Sequence, residues 1–293
     1  MAWELTDSLD EFDRVAAAHL LADPARQTVP LSVLASLRAA GMARFGDSPP
    51  LFGWHRGADG TVDGAVLQTP PFPLLLASAP TGSVPGLLTA LAARRALPVR
   101  VNLDAASEAS FLADWARRTG GAGTPRIRMR LYRLAELVPP YPAAAGAARL
   151  ASQADLELLV RWYEAFQREA EGPGPEHPRR IVEDVLGYSG IMLWEADGEP
   201  VAMASLTRTV AGVARVTGVY TPPEHRRRGY GAAVTTAVTE AAQGAGATEV
   251  VLFTDLANPT SNAIYQRLGY RPVEDRVLVE LTADVTSAYP SPS

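Results

Sequence analysis

The sequence contains no cysteine, which excludes disulfides, thiolate zinc sites and cysteine nucleophiles. Its four histidines, His19, His55, His177 and His225, are scattered, so we expect no histidine-based metal site. No apolar run approaches the roughly 18 residues that a membrane span requires. The N-terminal stretch MAWELTDSLDEFDRV also lacks the apolar segment of a signal peptide. These absences predict a soluble cytoplasmic protein without a metal or a membrane partner.

Lysine is absent as well, because all 27 basic residues are arginine. A GC-rich genome explains this most simply, and avoidance of lysine modification is the alternative. The formal net charge of -5 means that the chain as a whole is not a polyanion binder. Any anion site must therefore be local.

The length of 293 residues suits two domains of about 140 residues each. A stretch rich in proline, alanine and glycine, VPPYPAAAGAAR, begins at Val138 and has no apolar periodicity. We therefore predict a first domain over residues 1–138, a linker over 139–149, a second domain over 150–282 and a flexible tail over 283–293.

The two predicted domains resemble each other in two segments. LFGWHRGADGTVDGAVL around Trp54 and IMLWEADGEPVAMASL around Trp194 each read as strand, Asp-Gly turn and strand. Later, PVRVNLDAASEASFLADWARRTGG and EVVLFTDLANPTSNAIYQRLGY each read as an apolar strand, an aspartate and a helix that ends before glycine. The shared order predicts duplication of one α/β domain.

The turn HRRRGYG, residues 225–231, is the most specific feature of the second half. A β-branched run, AGVARVTGVYT, precedes it and is ended by Pro222 and Pro223. A helix follows, with Val234, Val238 and Ala242 on one apolar face. Free N–H groups at a helix start, glycines that permit close approach and adjacent arginines together predict a cradle for a pyrophosphate.

Other anion-binding motifs do not fit this turn. No Gly-Lys-Ser/Thr follows, so the turn is not a Walker A loop, and Gly231 is followed by Ala-Ala-Val, which excludes the dinucleotide motif G-x-G-x-x-G. A nucleic-acid site needs a broad basic face with exposed aromatics, whereas this patch is isolated in an acidic chain. We therefore expect no nucleic-acid partner.

A second motif, NPTSNAIYQRLGY, begins at Asn258. Pro259 suits the first turn of a helix and Gly269 its C-terminal cap. Seven, four and three residues separate Asn258, Ser261 and Asn262 from Tyr265, so the four share one helical face. That polar face suits a cofactor, and a half-buried packing tyrosine is the alternative for Tyr265.

Arg226-x-x-Gly229-x-Gly231 after a strand resembles the Q/R-x-x-G-x-G/A motif of the GNAT N-acetyltransferase superfamily, and residues 258–270 resemble the last conserved region of that superfamily. The resemblance covers roughly residues 150–281. It implies two tandem GNAT-like domains of class α/β (α+β), each a mixed, largely antiparallel twisted sheet flanked by helices. It further implies an acetyl-CoA-dependent N-acetyltransferase, with acetyl-CoA as co-substrate in a gap between two splayed strands.

The resemblance also implies roles for individual residues. Tyr265 would be the catalytic proton donor to the leaving thiolate, and the N–H of Tyr220 would stabilise the oxyanion. The cofactor-binding residues would be Val219, Tyr220, Thr221, Arg226, Arg227, Arg228, Gly229, Tyr230, Gly231, Ala232, Asn258, Ser261, Asn262 and Tyr265. Tyr163, Glu164 and Glu169 on the preceding helix are weaker candidates for the acceptor side.

Two questions stay open at this stage. The strand before the turn carries no carboxylate, so no general base is visible, and a catalytically weak acetyl-CoA sensor or scaffold is the alternative to an enzyme. The acceptor would be a primary amine of a small molecule or a peptide, and the protein a monomer or homodimer.

The first domain lacks the arginine turn in SAPTGSVPGLL, residues 78–88, and has Trp115 in the segment that matches the tyrosine-bearing helix. We therefore expect a degenerate, non-catalytic copy.

Overall fold

The structure is a computed structural model that describes residues 2–94, 96–169 and 178–284. The chain divides into two compact units. Unit 1 comprises the described parts of Met1–Met129 and Glu274–Ser293, and unit 2 comprises those of Arg130–Val273. Each unit contains a mixed, mostly antiparallel sheet with helices, which confirms the predicted fold class.

The first half of the chain forms, in order, β1 (Ala2–Thr6), α1 (Leu9–Leu21), α2 (Thr28–Ala40), β2 (Leu51–Arg56), β3 (Val62–Gln68), β4 (Leu74–Ser78), α3 (Val84–Ala93), β5 (Arg100–Asp104), α4 (Glu108–Thr119) and β6 (Gly123–Leu134). The second half forms β7 (Ala147–Leu150), α5 (Leu156–Glu169), α6 (Pro178–Leu186), β8 (Ile191–Ala196), β9 (Glu199–Leu206), β10 (Val213–Tyr220), α7 (Tyr230–Gly244), β11 (Glu249–Asp255), α8 (Pro259–Arg267) and β12 (Tyr270–Leu281).

The two units repeat one strand order. In unit 1, β1, β2, β3 and β4 pair antiparallel in sequence, and β4 then pairs parallel with β5. In unit 2, β7, β8, β9 and β10 pair antiparallel, and β10 then pairs parallel with β11. The shared order supports the predicted duplication.

The sixth strand of each sheet comes from the other half of the sequence. In unit 1, β12 pairs antiparallel with β5, with Arg276 opposite Asp104 and Glu280 opposite Arg100. In unit 2, β6 lies next to β11, and its residues from Arg130 onward belong to this unit. The boundaries of the compact units therefore fall inside β6 and β12.

These boundaries differ from the predicted division at residues 139–149. Residues 130–138 belong to unit 2, and residues from Glu274 belong to unit 1. The end of the predicted linker is also a strand, because Ala147–Leu150 pair with β8. Composition marks where a chain is irregular, but strand pairing decides which unit a segment joins. Most of the predicted tail, residues 285–293, lies outside the described residues.

Local sequence explains how the predicted hairpins and helix ends form. The β8–β9 turn has positive φ at both Asp197 (54°) and Gly198 (81°), as a two-residue type I′ turn requires. Helix α8 begins with Pro259 at its first turn, after Asn258, whose side chain accepts a hydrogen bond from the N–H of Ser261. Both predicted hairpins and both strand–aspartate–helix segments are present.

The core of unit 2 lies on both faces of its sheet. One cluster packs α7 and α8 against the sheet and includes Val234, Val238, Ala242, Tyr265 and Tyr270. The other packs α5 and α6 against the opposite face. The predicted apolar face of α7 is confirmed, since Val234, Val238 and Ala242 are all buried.

Candidate active site

The end of β10 leaves the parallel pairing with β11. The parallel register runs from Val213–Glu249 to Val216–Leu252 and includes, among the described residues, no β11 partner for Thr217–Tyr220. Toward β9, Thr217 pairs with Ser205 and Tyr220 with Met203, so the intervening Gly218 and Val219 form a bulge. Backbone groups near the end of β10 are thus left available beside β11.

The turn after β10 has the geometry of an anion site. Arg227 (φ 64°) and Gly229 (φ 84°) are both left-handed, and such alternation turns successive N–H groups toward one point. Within the described part of the chain, the N–H groups of Arg227 through Ala232 donate no hydrogen bond. The first paired N–H is that of Ala233, which donates to the Gly229 carbonyl at 3.0 Å. We call the segment from Arg227 to Ala232 the cradle.

The side chains of the cradle are basic or small. Arg227 and Arg228 are exposed, and neither forms an ion pair with a described residue. A side chain at Gly231 would touch the Thr221 hydroxyl at 3.5 Å and no other group within 4 Å. The ring of Tyr230 is buried in the core, so this residue would contribute its N–H rather than its hydroxyl. Together with the helix dipole of α7, the cradle favours a phosphate.

Arg226 is engaged with the protein itself. Its Nη2 atom donates to both carboxylate oxygens of Glu169 at 2.7 Å, and its Nε donates to the Thr221 carbonyl at 2.9 Å. The guanidinium also lies 5.9 Å from the centre of the Tyr220 ring. Arg226 therefore connects the end of α5 to the end of β10, whereas the side chains of Arg227 and Arg228 form no ion pair with a described residue.

The three predicted acceptor-side residues lie on α5 in different surroundings. Glu169 binds Arg226, Glu164 is exposed, and Tyr163 packs its ring 6.5 Å from that of Phe166. Burial raises the pKa of Tyr163 above its usual range. Sequence analysis missed Trp162, whose ring lies 6.2 Å from that of Tyr220 at the end of β10. Residues 171–177, a stretch rich in glycine and proline in the sequence after α5, lie outside the described residues.

Tyr265 lies in the core with a free hydroxyl. Its side chain is 7% exposed, and its ring packs edge-on against Tyr270 at 6.2 Å. The Tyr270 hydroxyl pairs with that of Thr239 at 2.7 Å, whereas the Tyr265 hydroxyl has no hydrogen-bond partner among the described residues. Burial raises the pKa of Tyr265 far above its usual range, so its proton is retained at neutral pH.

The predicted asparagines hold the loop before α8. Asn258 caps the helix, and the Asn262 amide donates to the carbonyls of Asp255 and Asn258 at 2.8 and 2.7 Å. The Asn262 carbonyl oxygen accepts from the Tyr132 hydroxyl at 2.9 Å. Ser261 is half-buried beside them. Tyr132, which sequence analysis missed because it lies in β6, fixes the orientation of this loop.

One polar atom near the cradle lacks a partner. The Nδ1 atom of His225, which ends the short helical turn Pro223–His225, is buried and has no hydrogen-bond partner among the described residues. Buried polar atoms are nearly always paired, so such an atom is an observation to explain. The sequence shows this histidine only as a neighbour of three arginines and gives no signal of its burial.

The corresponding place in unit 1 is filled by a side chain. The parallel register of β4 and β5 covers only Leu74–Val101 and Leu75–Asn102. Arg276 from β12 donates to the Leu76 carbonyl and to the Asn102 side chain, each at 2.8 Å, and is 5% exposed. Trp115 is a core residue whose indole donates to the Thr282 carbonyl at 2.7 Å. In unit 1, the strands β4 and β5 therefore also separate after a short parallel register, but the described residues of this unit include no turn like the cradle.

No group of three or more histidine, aspartate or glutamate side chains in the described part of the chain could hold a metal ion. No helix of the described ranges combines the length and apolar character needed to cross a membrane.

Comparisons with known proteins were made on the sequence and on the fold. No curated protein matches the sequence. The model of the family described as Acetyltransferase (GNAT) family matches residues 159–270, which include the end of β10, the cradle and Tyr265.

Three solved structures are similar over nearly the whole chain. A GCN5-related N-acetyltransferase from Sphaerobacter thermophilus is 17% identical with a TM-score of 0.64, covering 96% of each chain. A GNAT-family acetyltransferase from Colwellia psychrerythraea is 13% identical with a TM-score of 0.58, covering 95% of this chain and 98% of its own. A Drosophila protein is 14% identical with a TM-score of 0.64, covering 96% and 99%. At these identities the likeness shows the fold. The family match adds that residues 159–270 are similar in sequence to the acetyltransferase (GNAT) family.

Proposed function

We propose that unit 2 is an acetyl-CoA-dependent N-acetyltransferase that moves an acetyl group to a primary amine of a small molecule or a peptide. The observation that carries the proposal is the cradle, where free N–H groups from Arg227 to Ala232 adjoin two unpaired arginines. It lies directly after the end of β10, which pairs with β9 but has no β11 partner among the described residues, so a ligand anchored by its pyrophosphate can extend along the β11 side of that strand. Unit 1 would be the non-catalytic copy.

The residues present fit this co-substrate. Arg227, Arg228 and the cradle N–H groups would hold the pyrophosphate. The backbone of Val219, Tyr220 and Thr221 would pair with the pantetheine arm, once the Thr221 carbonyl is released by Arg226 or shared with it. Acetyl-CoA would supply a thioester whose carbonyl carbon is open to attack by a neutral amine.

Two groups of this chain would assist the transfer. The N–H of Tyr220 would stabilise the negative charge that develops on the thioester oxygen. The Tyr265 hydroxyl, which has no partner in the described part of the chain, would donate its proton to the departing sulfur. Burial raises the pKa of Tyr265, so the hydroxyl keeps its proton until the thiolate forms.

A second function is favoured by one observation. No residue of β10 is a carboxylate, Glu164 is exposed, and Glu169 is bound to Arg226. A unit that binds acetyl-CoA but lacks a base for the amine would turn over slowly and serve as a sensor or scaffold. Water could take the proton instead, and steady-state kinetics with a panel of amines distinguishes the two.

Calorimetry of acetyl-CoA binding tests the proposal. The wild-type chain should bind at one site per chain with micromolar affinity. A chain with Arg227→Glu and Gly229→Asp should lose binding while its circular dichroism is unchanged. Arg14→Glu, at an exposed arginine of α1 that has no ion pair among the described residues, is the matched charge control. No binding by the wild type would overturn the proposal, and two sites would show that unit 1 also binds acetyl-CoA.

A further inference from the structure

A fully exposed tyrosine lies in the segment before β7. Tyr141 is 99% exposed, in the stretch PPYP between Val138 and Pro142. An aromatic ring left in water forgoes the stabilisation that burial of its large apolar surface would give. Exposed aromatics on a rigid backbone are typical of binding surfaces, where they contribute contact area without much loss of conformational entropy.

The segment is anchored beside the candidate active site at two points. At its start, the N–H of Val138 donates to the Leu268 carbonyl at the end of α8, the helix that carries Tyr265. Near its other end, the Cβ of Ala144 lies 3.5 Å from the place where a side chain at Gly229 would begin. The segment therefore runs from the end of α8 to the cradle.

The backbone around Tyr141 is stiff and its position is held. Pro139, Pro140 and Pro142 fix their φ angles, which lowers the entropy lost when the ring is immobilised by a ligand. The Ala145 carbonyl, just beyond, accepts a hydrogen bond from the Trp194 indole at 2.9 Å. Tyr141 thus lies in a segment that is held by hydrogen bonds on both sides of it and that passes the cradle at Ala144.

We infer that Tyr141 is a binding residue for the adenine ring of acetyl-CoA, an inference that rests on the proposed function. The thioester end would lie along β10 near Tyr265, so the nucleotide must leave the cradle on its outer side. The segment that carries Tyr141 passes the cradle at Ala144, and Tyr141 is its exposed aromatic residue. A phenol ring offers a flat apolar face, and purines stack on such faces.

The experiment compares two ligands that differ in the nucleotide. Binding of acetyl-CoA and of S-acetyl-pantetheine is measured by calorimetry for the full chain and for Tyr141→Ala. Loss of the ring should raise the Kd of acetyl-CoA by about 5- to 100-fold. The Kd of S-acetyl-pantetheine, which has no adenine, should not change. Transferred NOEs from adenine H2 and H8 to a tyrosine ring should be present in the wild type and absent in the variant.

Two matched variants control the comparison. Tyr141→Phe keeps the flat ring and should bind acetyl-CoA as the wild type does. Val138→Ala removes another exposed apolar side chain, 51% exposed, from the same segment and should also have no effect. Because Tyr141 is fully exposed, its replacement should leave the fold intact, which circular dichroism verifies.

The outcomes separate this inference from the proposed function. If Tyr141→Ala weakens both ligands equally or neither, the adenine assignment is wrong although acetyl-CoA still binds. Equal wild-type affinity for the two ligands would also overturn it, since the nucleotide would then contribute nothing. If the wild type binds neither ligand, the proposed function itself fails, and the inference fails with it.

Discussion

Arg226 and Glu169 form an ion pair in which one guanidinium nitrogen lies 2.7 Å from both carboxylate oxygens. The pair joins the last described residue of α5 to the residue that precedes the cradle. It places a negative charge close to the positive charges that would hold a phosphate. The glutamate predicted to face the acceptor is therefore an electrostatic neighbour of the cradle.

We expect Glu169→Gln to tighten acetyl-CoA binding. Removing the carboxylate frees the charge of Arg226 for the phosphate, so the Kd should fall by about two- to fivefold at low salt and the difference should shrink at high salt. Stability should change by less than about 1 kcal/mol, because both partners are nearly half exposed. Glu164→Gln, on an exposed residue of the same helix, should have no effect. A weaker affinity in Glu169→Gln would show instead that the pair positions the turn.

Tyr265→Phe should lower kcat by about 10²- to 10⁴-fold and leave the Kd of acetyl-CoA unchanged. Its hydroxyl has no partner among the described residues, so its removal leaves no group unpaired in that part of the chain. Tyr270→Phe is the control, because that hydroxyl pairs with Thr239 and should affect stability but not kcat. An unchanged kcat in Tyr265→Phe would assign this tyrosine to packing alone.

Two glycines of the cradle, separated by Tyr230, should respond differently to alanine. Gly229 has a φ of 84°, so Gly229→Ala should lower the free energy of unfolding by about 1–2 kcal/mol and distort the cradle. Gly231 lies in α7 without a positive φ, so Gly231→Ala should be tolerated and raise helix stability by up to about 1 kcal/mol. Urea unfolding and acetyl-CoA titration measure both effects. Equal losses of acetyl-CoA affinity in the two variants would mean that the added methyl group, rather than a change of backbone conformation at Gly229, weakens binding at the cradle.

Asp155 should make unit 2 sensitive to acid. Two hydrogen bonds of 2.8 Å from the Arg149 guanidinium lower the pKa of Asp155 to about 2. A carboxyl in the unfolded chain titrates near 3.9, so this stabilisation is complete above about pH 4 and is lost as the pH falls through 2.

Asp155→Asn tests this linkage by urea unfolding at several pH values. At pH 7 the variant should lose about 1–3 kcal/mol, because the buried charge-assisted bonds are gone. The difference from the wild type should shrink as the pH approaches 2. Asp47→Asn, on an exposed aspartate without an ion pair among the described residues, is the control. A difference that does not depend on pH would contradict the linkage.

Features set by a few neighbouring residues could be predicted from the sequence. The helix start after Gly229, the first turn of α8 at Pro259 and the Asp197-Gly198 turn each follow from residues within one turn of the chain. The family resemblance, also read from local motifs, is confirmed for residues 159–270. The roles of individual site residues remain predictions.

Features set by distant residues could not be predicted. Arg276 lies where β4 and β5 separate in unit 1, and it donates a hydrogen bond to Asn102, 174 positions away in the sequence. Its sequence context, an alternating strand, indicates a surface position, whereas the structure buries it. The Arg226–Glu169 pair and the Tyr132–Asn262 bond are of the same kind, because each depends on which strands and helices become neighbours.

The sixth strands described above constrain how this protein can change over evolution. A gene truncated after residue 149 or starting at residue 150 would encode half a chain that carries one strand intended for the other sheet and lacks one of its own. Each copy therefore depends on the other for a complete sheet edge. A copy that has lost its cradle can drift in sequence. Its deletion would remove β6 and expose the edge of β11 in the copy that retains a cradle.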